Sequence, residues 1–144
     1  MMKKRFLALL SILSILLLFS GCQEKVEEIS SSQNIVFDGG DIFELVEGRI
    51  DLTKRGGKIV EARVVMRFRN IAEKIVNANV SIEFYGKDNE LIYKTYRKFL
   101  GYPPGYQDPP LSKEDLDKPI ANVVRYSGED VDKISYVAIK VSEI

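Results

Sequence analysis

Residues 58–70 read KIVEARVVMRFRN, and apolar and charged side chains alternate along them. The apolar set is Val60, Ala62, Val64, Met66 and Phe68, and the charged set between them is Glu61, Arg63, Arg67 and Arg69. Successive side chains of a β-strand point to opposite faces of a sheet, whereas helical spacing would scatter these apolar residues around a cylinder. The stretch therefore predicts a strand with one face in a core and the other in water.

The same period of two extends along the chain in both directions. Residues 76–85 predict a second strand, with Val76, Ala78, Val80, Ile82 and Phe84 facing inward and Asn77, Asn79, Ser81 and Glu83 facing outward. Further strands are predicted over 42–52, 91–99, 120–126 and 134–141. The last of these is apolar on both faces, which favours a central or doubly covered position.

Turn signals lie between these strands. Residues 54–57 (KRGG) predict a hairpin between 42–52 and 58–70, and residues 86–89 (GKDN) reverse the chain before 91–99. A capping pattern at 112–115 (SKED), stopped by Pro119, predicts one short helix near 112–118. The whole pattern predicts an all-β fold, an antiparallel β-sandwich of six or seven strands over residues 35–144.

The first 21 residues have the organisation of a secretory signal peptide. Three basic residues at 3–5 precede an apolar run over 6–19, which is shorter than the about 20 residues of a membrane-spanning helix. The sequence LFSGC at 18–22 resembles the lipobox of prokaryotic lipoproteins, with Phe19 where leucine is usual. The resemblance implies lipid transfer to Cys22 and cleavage just before it. The alternatives are an uncleaved short anchor and a plain signal peptide with a coincidental cysteine.

The lipid would hold the protein at the extracytoplasmic face of the cell membrane, or in an outer-membrane leaflet if the source has two membranes. Residues 22–34 then follow as a lipidated tether. Their composition (CQEKVEEISSSQN) contains few strong apolar residues. Such a segment buries too little surface to order itself, so it predicts a flexible spacer that lifts the domain clear of the headgroups.

Composition excludes most kinds of active site. The chain has no histidine and one cysteine, so it cannot form a Ser-His-Asp triad, a histidine-ligated zinc site or an intramolecular disulfide. Acidic groups at 38–41 (DGGD) and 129–132 (EDVD) lack the ligand spacing of a calcium loop and are predicted to be turn-forming residues in water. We therefore expect no catalytic residue, no bound metal and no cofactor.

Two surface features suggest partners. The basic and acidic residues balance at 21 each, which gives no attraction to nucleic acid, and the strand arginines are predicted to pair with neighbours such as Glu61 and Glu83. The second feature is the segment 100–111 (LGYPPGYQDPPL), which is long for a loop of a compact domain. It predicts a partner-binding surface at Tyr102, Pro103, Pro104 and Tyr106, and the alternative is that these tyrosines cap one end of the sandwich.

Residues 59–99 resemble the immunoglobulin-like domains of the FxLYD type, which occur in secreted and lipid-anchored prokaryotic proteins. The resemblance rests on RFRN at 67–70, IEFYG at 82–86 and DNELI at 88–92, with Gly86 where the family has aspartate. It implies an immunoglobulin-like sandwich that serves as an accessory or binding module.

The sequence thus predicts a membrane-anchored lipoprotein that presents a non-catalytic binding module to an envelope protein or polymer. The alternative is a structural subunit or spacer of a cell-envelope assembly. A hydrolase that uses carboxylates alone is a more distant third.

Overall fold

The computed structural model of the protein describes residues 25–144, which form eight strands in two packed sheets. In chain order the strands are β1 (Val26–Ser31), β2 (Ile35–Asp38), β3 (Phe43–Arg55), β4 (Lys58–Asn70), β5 (Val76–Gly86), β6 (Leu91–Tyr102), β7 (Val123–Tyr126) and β8 (Ile134–Glu143). The first sheet has the order β1-β3-β4-β7 and the second sheet has the order β2-β8-β5-β6. The prediction of an all-β sandwich is confirmed.

Six of the strands have the neighbours expected of an immunoglobulin domain. In that fold strands A, B and E are adjacent in one sheet, and F, C and C′ are adjacent in the other. Here β3-β4-β7 and β8-β5-β6 hold those positions, and all their pairings are antiparallel. The exception is β2, which pairs parallel to β8, so the prediction of a wholly antiparallel sandwich is wrong at this edge.

The core consists of the inward faces of the two sheets. All five residues predicted to face inward on β5 are fully buried, and so are Ala62, Val64, Met66 and Phe68 on β4. Val60 is the exception, since it is not fully buried. A bulge interrupts the pairing of β3 with β4 at this point, and Ile59 packs against the core there instead. The alternation in sequence therefore identified the core faces of both strands almost completely.

The tether was predicted less well. Residues 35–144 contain seven strands, within the predicted six or seven, but Val26–Ser31 adds an eighth. It pairs along its whole length with β3, so this part of the predicted flexible tether is a strand. Nearly every residue of β1 is exposed. An edge strand that is held by backbone pairing rather than burial has no apolar pattern from which to predict it.

The long connection between β6 and β7 lies against the outer face of the first sheet. Arg67 donates to the carbonyl oxygens of Asp108 (3.2 Å) and Pro109 (3.1 Å). The predicted helix is a single 3₁₀ turn, Asp115–Asp117, with reciprocal bonds between the backbone N–H and side-chain oxygen of Ser112 and Asp115. Because of this cover, Val65 is buried although it points away from the core.

Candidate functional site

The end of the sandwich at which β4 finishes carries the largest concentration of exposed apolar side chains. We call it the Asn70 end; it comprises the loop 71–75, the last residues of β6, the loop 103–108 and Ile144, whose backbone N–H donates to the carbonyl of Asn77 (3.0 Å). Of the ten large apolar residues that are exposed in residues 25–144, five lie at this end: Ile71, Ile75, Leu100, Tyr106 and Ile144. The two most exposed of the loop and strand residues are Ile75 (67%) and Leu100 (63%). Clustered exposed apolar side chains are typical of interaction surfaces.

The side chain of Asn70 organises this end. It is buried, and its amide nitrogen donates to the carbonyl oxygens of Tyr102 (2.8 Å), Lys74 (2.9 Å) and Pro103 (3.1 Å). Its amide oxygen accepts a hydrogen bond from the backbone N–H of Ala72 (2.8 Å). One side chain thus joins the loop 71–75 to the loop 103–108.

Backbone hydrogen bonds fix the second loop. The N–H of Asn70 donates to the carbonyl of Tyr106 (2.9 Å), and the N–H of Gly105 donates to the carbonyl of Asn70 (3.0 Å). Gly105 has a φ of 76°, a conformation that residues with a Cβ rarely adopt. The loop is therefore held in one conformation before any partner arrives, which lowers the entropy lost on binding.

The structure separates the residues that were predicted to contact a partner. Tyr102 is only 8% exposed and packs among Phe43 and Phe99, so its ring offers little surface to a partner, and its contact with one stays a prediction. Pro103, Pro104 and Tyr106 are exposed, and the Tyr106 ring rests edge-on against Tyr102 with centroids 5.2 Å apart. Tyr102 therefore caps the core, as the alternative predicted, and supports the exposed residues.

A buried aspartate connects the capping tyrosine to β4. Asp108 accepts hydrogen bonds from the Tyr102 hydroxyl, from the backbone N–H of Phe68 (2.9 Å) and from the side-chain amide of Asn122 (2.9 Å). Burial, and then the bond to Asp108, raise the pKa of Tyr102 well above its usual range. The hydroxyl thus remains protonated at any physiological pH and keeps donating to Asp108.

The arginines of β4 form ion pairs on the face of the first sheet that the connection between β6 and β7 covers, and they are not a free basic patch. We call this connection the covering segment. Arg63 bonds to Asp51 (2.9 Å) and Glu28 (2.7 Å), and Arg67 bonds to Glu47 (3.1 Å). The arginines therefore pair with acidic side chains, as predicted. Glu83, which was predicted as one of their partners, lies in the other sheet. Arg63, Asp51 and Glu28 border an open groove of about 470 Å³, which residues of the 3₁₀ turn also line.

Asp51 is the buried member of this network. Burial alone would raise its pKa, but hydrogen bonds from Ser30 and Arg63, together with the charge of Arg49, outweigh that cost and hold the pKa below its usual value. A charged, fully paired carboxylate of this kind stabilises a sheet and offers no proton at neutral pH.

Glu83 was predicted to face water, but it is only 4% exposed on the outer face of the second sheet. Its carboxylate accepts a hydrogen bond from the Tyr85 hydroxyl and pairs with Lys140 (3.2 Å) and Lys94 (3.3 Å). The bond from Tyr85, followed by those from Lys140 and Lys94, lowers the pKa of Glu83. Two lysines therefore compensate the charge of this one carboxylate, and its lowered pKa keeps it ionised at neutral pH.

The remaining predictions concern Cys22, the signal peptide and the acidic turns. Cys22 and the signal peptide at 1–21 lie outside the described residues. Within residues 25–144 no three histidine, cysteine, aspartate or glutamate side chains are grouped as metal ligands, and the acidic turns at 38–41 and 129–132 lie at strand ends. No helix in this range is long and apolar enough to span a bilayer.

Comparison of the chain with protein-family models, with curated proteins and with solved structures finds no match.

Proposed function

We propose that the protein is a membrane-anchored lipoprotein that presents a non-catalytic binding module on the extracytoplasmic face, and that the exposed apolar residues of the Asn70 end bind another protein. Lipid on Cys22 supplies the anchor, on the strength of the lipobox resemblance at 18–22. The sandwich supplies the binding surface and no chemistry of its own.

The observation that carries this proposal is the exposed apolar surface on a rigid support. Ile71, Ile75 and Leu100 have no polar atom with which to bind a sugar or a phosphate, whereas apolar side chains and tyrosine are enriched in the cores of protein interfaces. The hydrogen bonds of Asn70 hold the loop that carries Ile71 and Ile75 and the end of β6 that carries Leu100. The chemistry therefore favours a protein partner over an envelope polymer.

The orientation of the strands supports the same assignment. β1 begins beside the β3–β4 hairpin, where Val26 pairs with Arg55, and β4 runs from that hairpin to Asn70. A 13-residue strand is about 40 Å long. A domain that is anchored just before β1 would thus have the Asn70 end far from the lipid and accessible to proteins of the envelope.

The experiment tests both the lipid anchor on Cys22 and the binding surface at the Asn70 end. Wild-type protein should take up labelled fatty acid and partition into detergent, and Cys22→Ala should abolish both. Chemical cross-linking in intact cells should give one defined adduct, which is lost in the triple variant Ile75→Ser, Leu100→Ser and Tyr106→Ser. Exposed side chains contribute little to folding, so the variant should keep its stability to within about 1 kcal/mol.

Leu91→Ser provides the matched control, since Leu91 is an equally exposed apolar residue at the other end of β6. The adduct should survive in this variant. Fatty-acid labelling of Cys22→Ala at the wild-type level would refute the anchor. An adduct that persists in the triple variant would remove the Asn70 end from the interface, and an adduct that contains only a second copy of the chain would replace the envelope partner with self-association.

A further inference from the structure

The β3–β4 hairpin lies very near the residue that would carry the lipid. β1 begins at Val26, and the backbone N–H of Gly56 in the hairpin turn donates to the carbonyl of Lys25 (3.2 Å). Only residues 23–25 separate Cys22 from β1. Four residue steps reach at most about 14 Å, whatever conformation they adopt. The hairpin turn is therefore confined to a thin layer next to the membrane if Cys22 is acylated.

The tip of the β3–β4 hairpin is basic. Lys25, Lys54, Arg55 and Lys58 lie at the turn or beside it, and the only ion pair that any of them makes within residues 25–144 joins Lys25 to Glu27 (3.0 Å). Three of the four charges are thus free of carboxylate partners in the part of the chain that the structure describes. The nearly balanced charge of the whole chain conceals this local excess.

The hairpin also projects beyond its neighbours. β7 pairs with β4 only over Ala62–Val65, so residues 58–61 of β4 extend past the end of β7 by about 13 Å. The acidic loop 127–133 follows β7 at the same end of the sandwich, and its Asp130 accepts a hydrogen bond from Tyr126, which pairs with Ala62. The acidic groups of this loop are therefore set back from the turn, and the basic residues of the hairpin are nearer than they are to any surface that the hairpin approaches.

We infer that the β3–β4 hairpin docks on the headgroups of anionic lipids beside the acylated cysteine, through Lys25, Lys54, Arg55 and Lys58. The inference rests on the proposed lipidation of Cys22. Lysine and arginine are attracted to anionic bilayers over about one Debye length, roughly 8–10 Å, which is comparable with the reach allowed by residues 23–25. The lipid then holds the domain at the membrane, and the hairpin fixes it upright with the Asn70 end outward.

The experiment uses full-length, processed lipoprotein reconstituted into vesicles. Acylation blocks the thiol of Cys22, the one cysteine of the chain, so a cysteine introduced by Thr53→Cys accepts a fluorescent donor near the hairpin. Glu73→Cys places the same donor in the loop 71–75 at the opposite end. Energy transfer to an acceptor on the lipid headgroups then reports how near each end lies to the bilayer.

In vesicles with about one-third anionic lipid, the donor at residue 53 should transfer strongly and the donor at residue 73 weakly. Zwitterionic vesicles or raised salt should lower transfer from residue 53. The combined substitution Lys54→Gln, Arg55→Gln and Lys58→Gln should do the same, because each lost charge reduces the ratio of docked to undocked protein about fivefold. The matched control, Lys98→Gln, Lys113→Gln and Lys118→Gln, removes three lysines away from the hairpin and should change nothing.

Two outcomes would overturn the proposed docking of the hairpin. Transfer from residue 53 that is equal in anionic and zwitterionic vesicles, or unaffected by the hairpin substitutions, would overturn the docking while leaving the lipid anchor intact. Protein that takes up no labelled fatty acid, and does not stay with the vesicles, would refute the anchor and the docking together.

Discussion

At the scale of single residues, a few buried polar side chains hold together segments that are distant in sequence. Asn70 is the clearest case, because one amide bonds to four backbone groups in two loops. Asp108 has a comparable role beneath the capping tyrosine, and Asp51 has one beneath the covering segment. Such residues stabilise the fold through satisfied hydrogen bonds, and their removal leaves buried partners unpaired.

We predict that Asn70→Ala lowers the free energy of unfolding by about 2–3 kcal/mol, because it leaves buried carbonyl and N–H groups without partners. Urea denaturation measures this change. Asn79→Ala is the control, since the Asn79 side chain makes no hydrogen bond within residues 25–144, and its cost should stay below about 0.5 kcal/mol. Equal costs for the two substitutions would show that Asn70 does not organise its end of the sandwich.

The second prediction concerns how the contribution of Asp51 to stability depends on pH. The pKa of its carboxyl in the folded protein lies below the usual value of 3.8, so its contribution to stability is present above pH 3.8 and is lost as the pH falls through the lowered folded pKa. Asp51→Asn should therefore cost about 2 kcal/mol at pH 7, and the stability difference from wild type should shrink below pH 3.8. Urea unfolding of both proteins at pH 7 and pH 3 measures this, and a difference that grows on acidification would contradict it.

At the scale of elements, strands β4 and β5 show that alternation identifies the core face more reliably than the face in water. The inward residues were predicted correctly, whereas Arg63 and Glu83 on the outward faces are largely buried in ion-pair networks. Alternation reports which residues are apolar, but a charged residue can be covered by another segment of the chain. The exposure of an outer face is therefore a tertiary property.

We predict that Val64→Ala, Ile82→Ala and Phe84→Ala each lower the free energy of unfolding by about 2–5 kcal/mol, because each leaves a cavity in the core. Glu83→Ala should cost about 1–3 kcal/mol, since it leaves Lys94, Lys140 and Tyr85 without their shared partner. Lys98→Ala is the exposed control on the neighbouring strand and should cost less than about 0.5 kcal/mol. A cost for Glu83→Ala as small as the control would show that the cluster is solvated.

At the scale of the whole molecule, the two ends of the sandwich differ in chemistry. The β3–β4 hairpin at one end is basic and the Asn70 end is apolar, and β4 runs from one to the other. No group of metal-binding side chains was found in the described part of the chain. The stability of the molecule then rests on the packed core and on the hydrogen-bond networks that join its covering segments to the sheets.

We accordingly predict that the melting temperature is the same with and without EDTA. Folding that does not use a metal has no ligand to lose. Thermal unfolding followed by circular dichroism measures this, with added calcium as the reverse test. A fall of more than about 5 °C in EDTA would reveal an oxygen-ligated calcium site that the side-chain positions do not indicate.

The sequence by itself determined the fold class, the two central hairpins and the core faces of β4 and β5. It also indicated that β8 is an inner strand, which the structure confirms by placing it between β2 and β5. These features depend on side-chain alternation and turn residues, which are local properties of the chain. The proline-rich segment was recognised as unusual for the same reason, whereas the burial of Tyr102 became evident only in the tertiary structure.

Only the tertiary structure decided the rest. Several features involve residues far apart in sequence: the pairing of β1 with β3, the parallel pairing of β2 with β8, and the burial of Asp51 and Glu83. The hydrogen bond between Phe68 and Asp108 likewise spans 40 positions. The exposed apolar end and the projecting basic hairpin are likewise visible only once the strands are aligned. A local pattern specifies which face of a strand is apolar, but not which distant segment will cover or expose the other face.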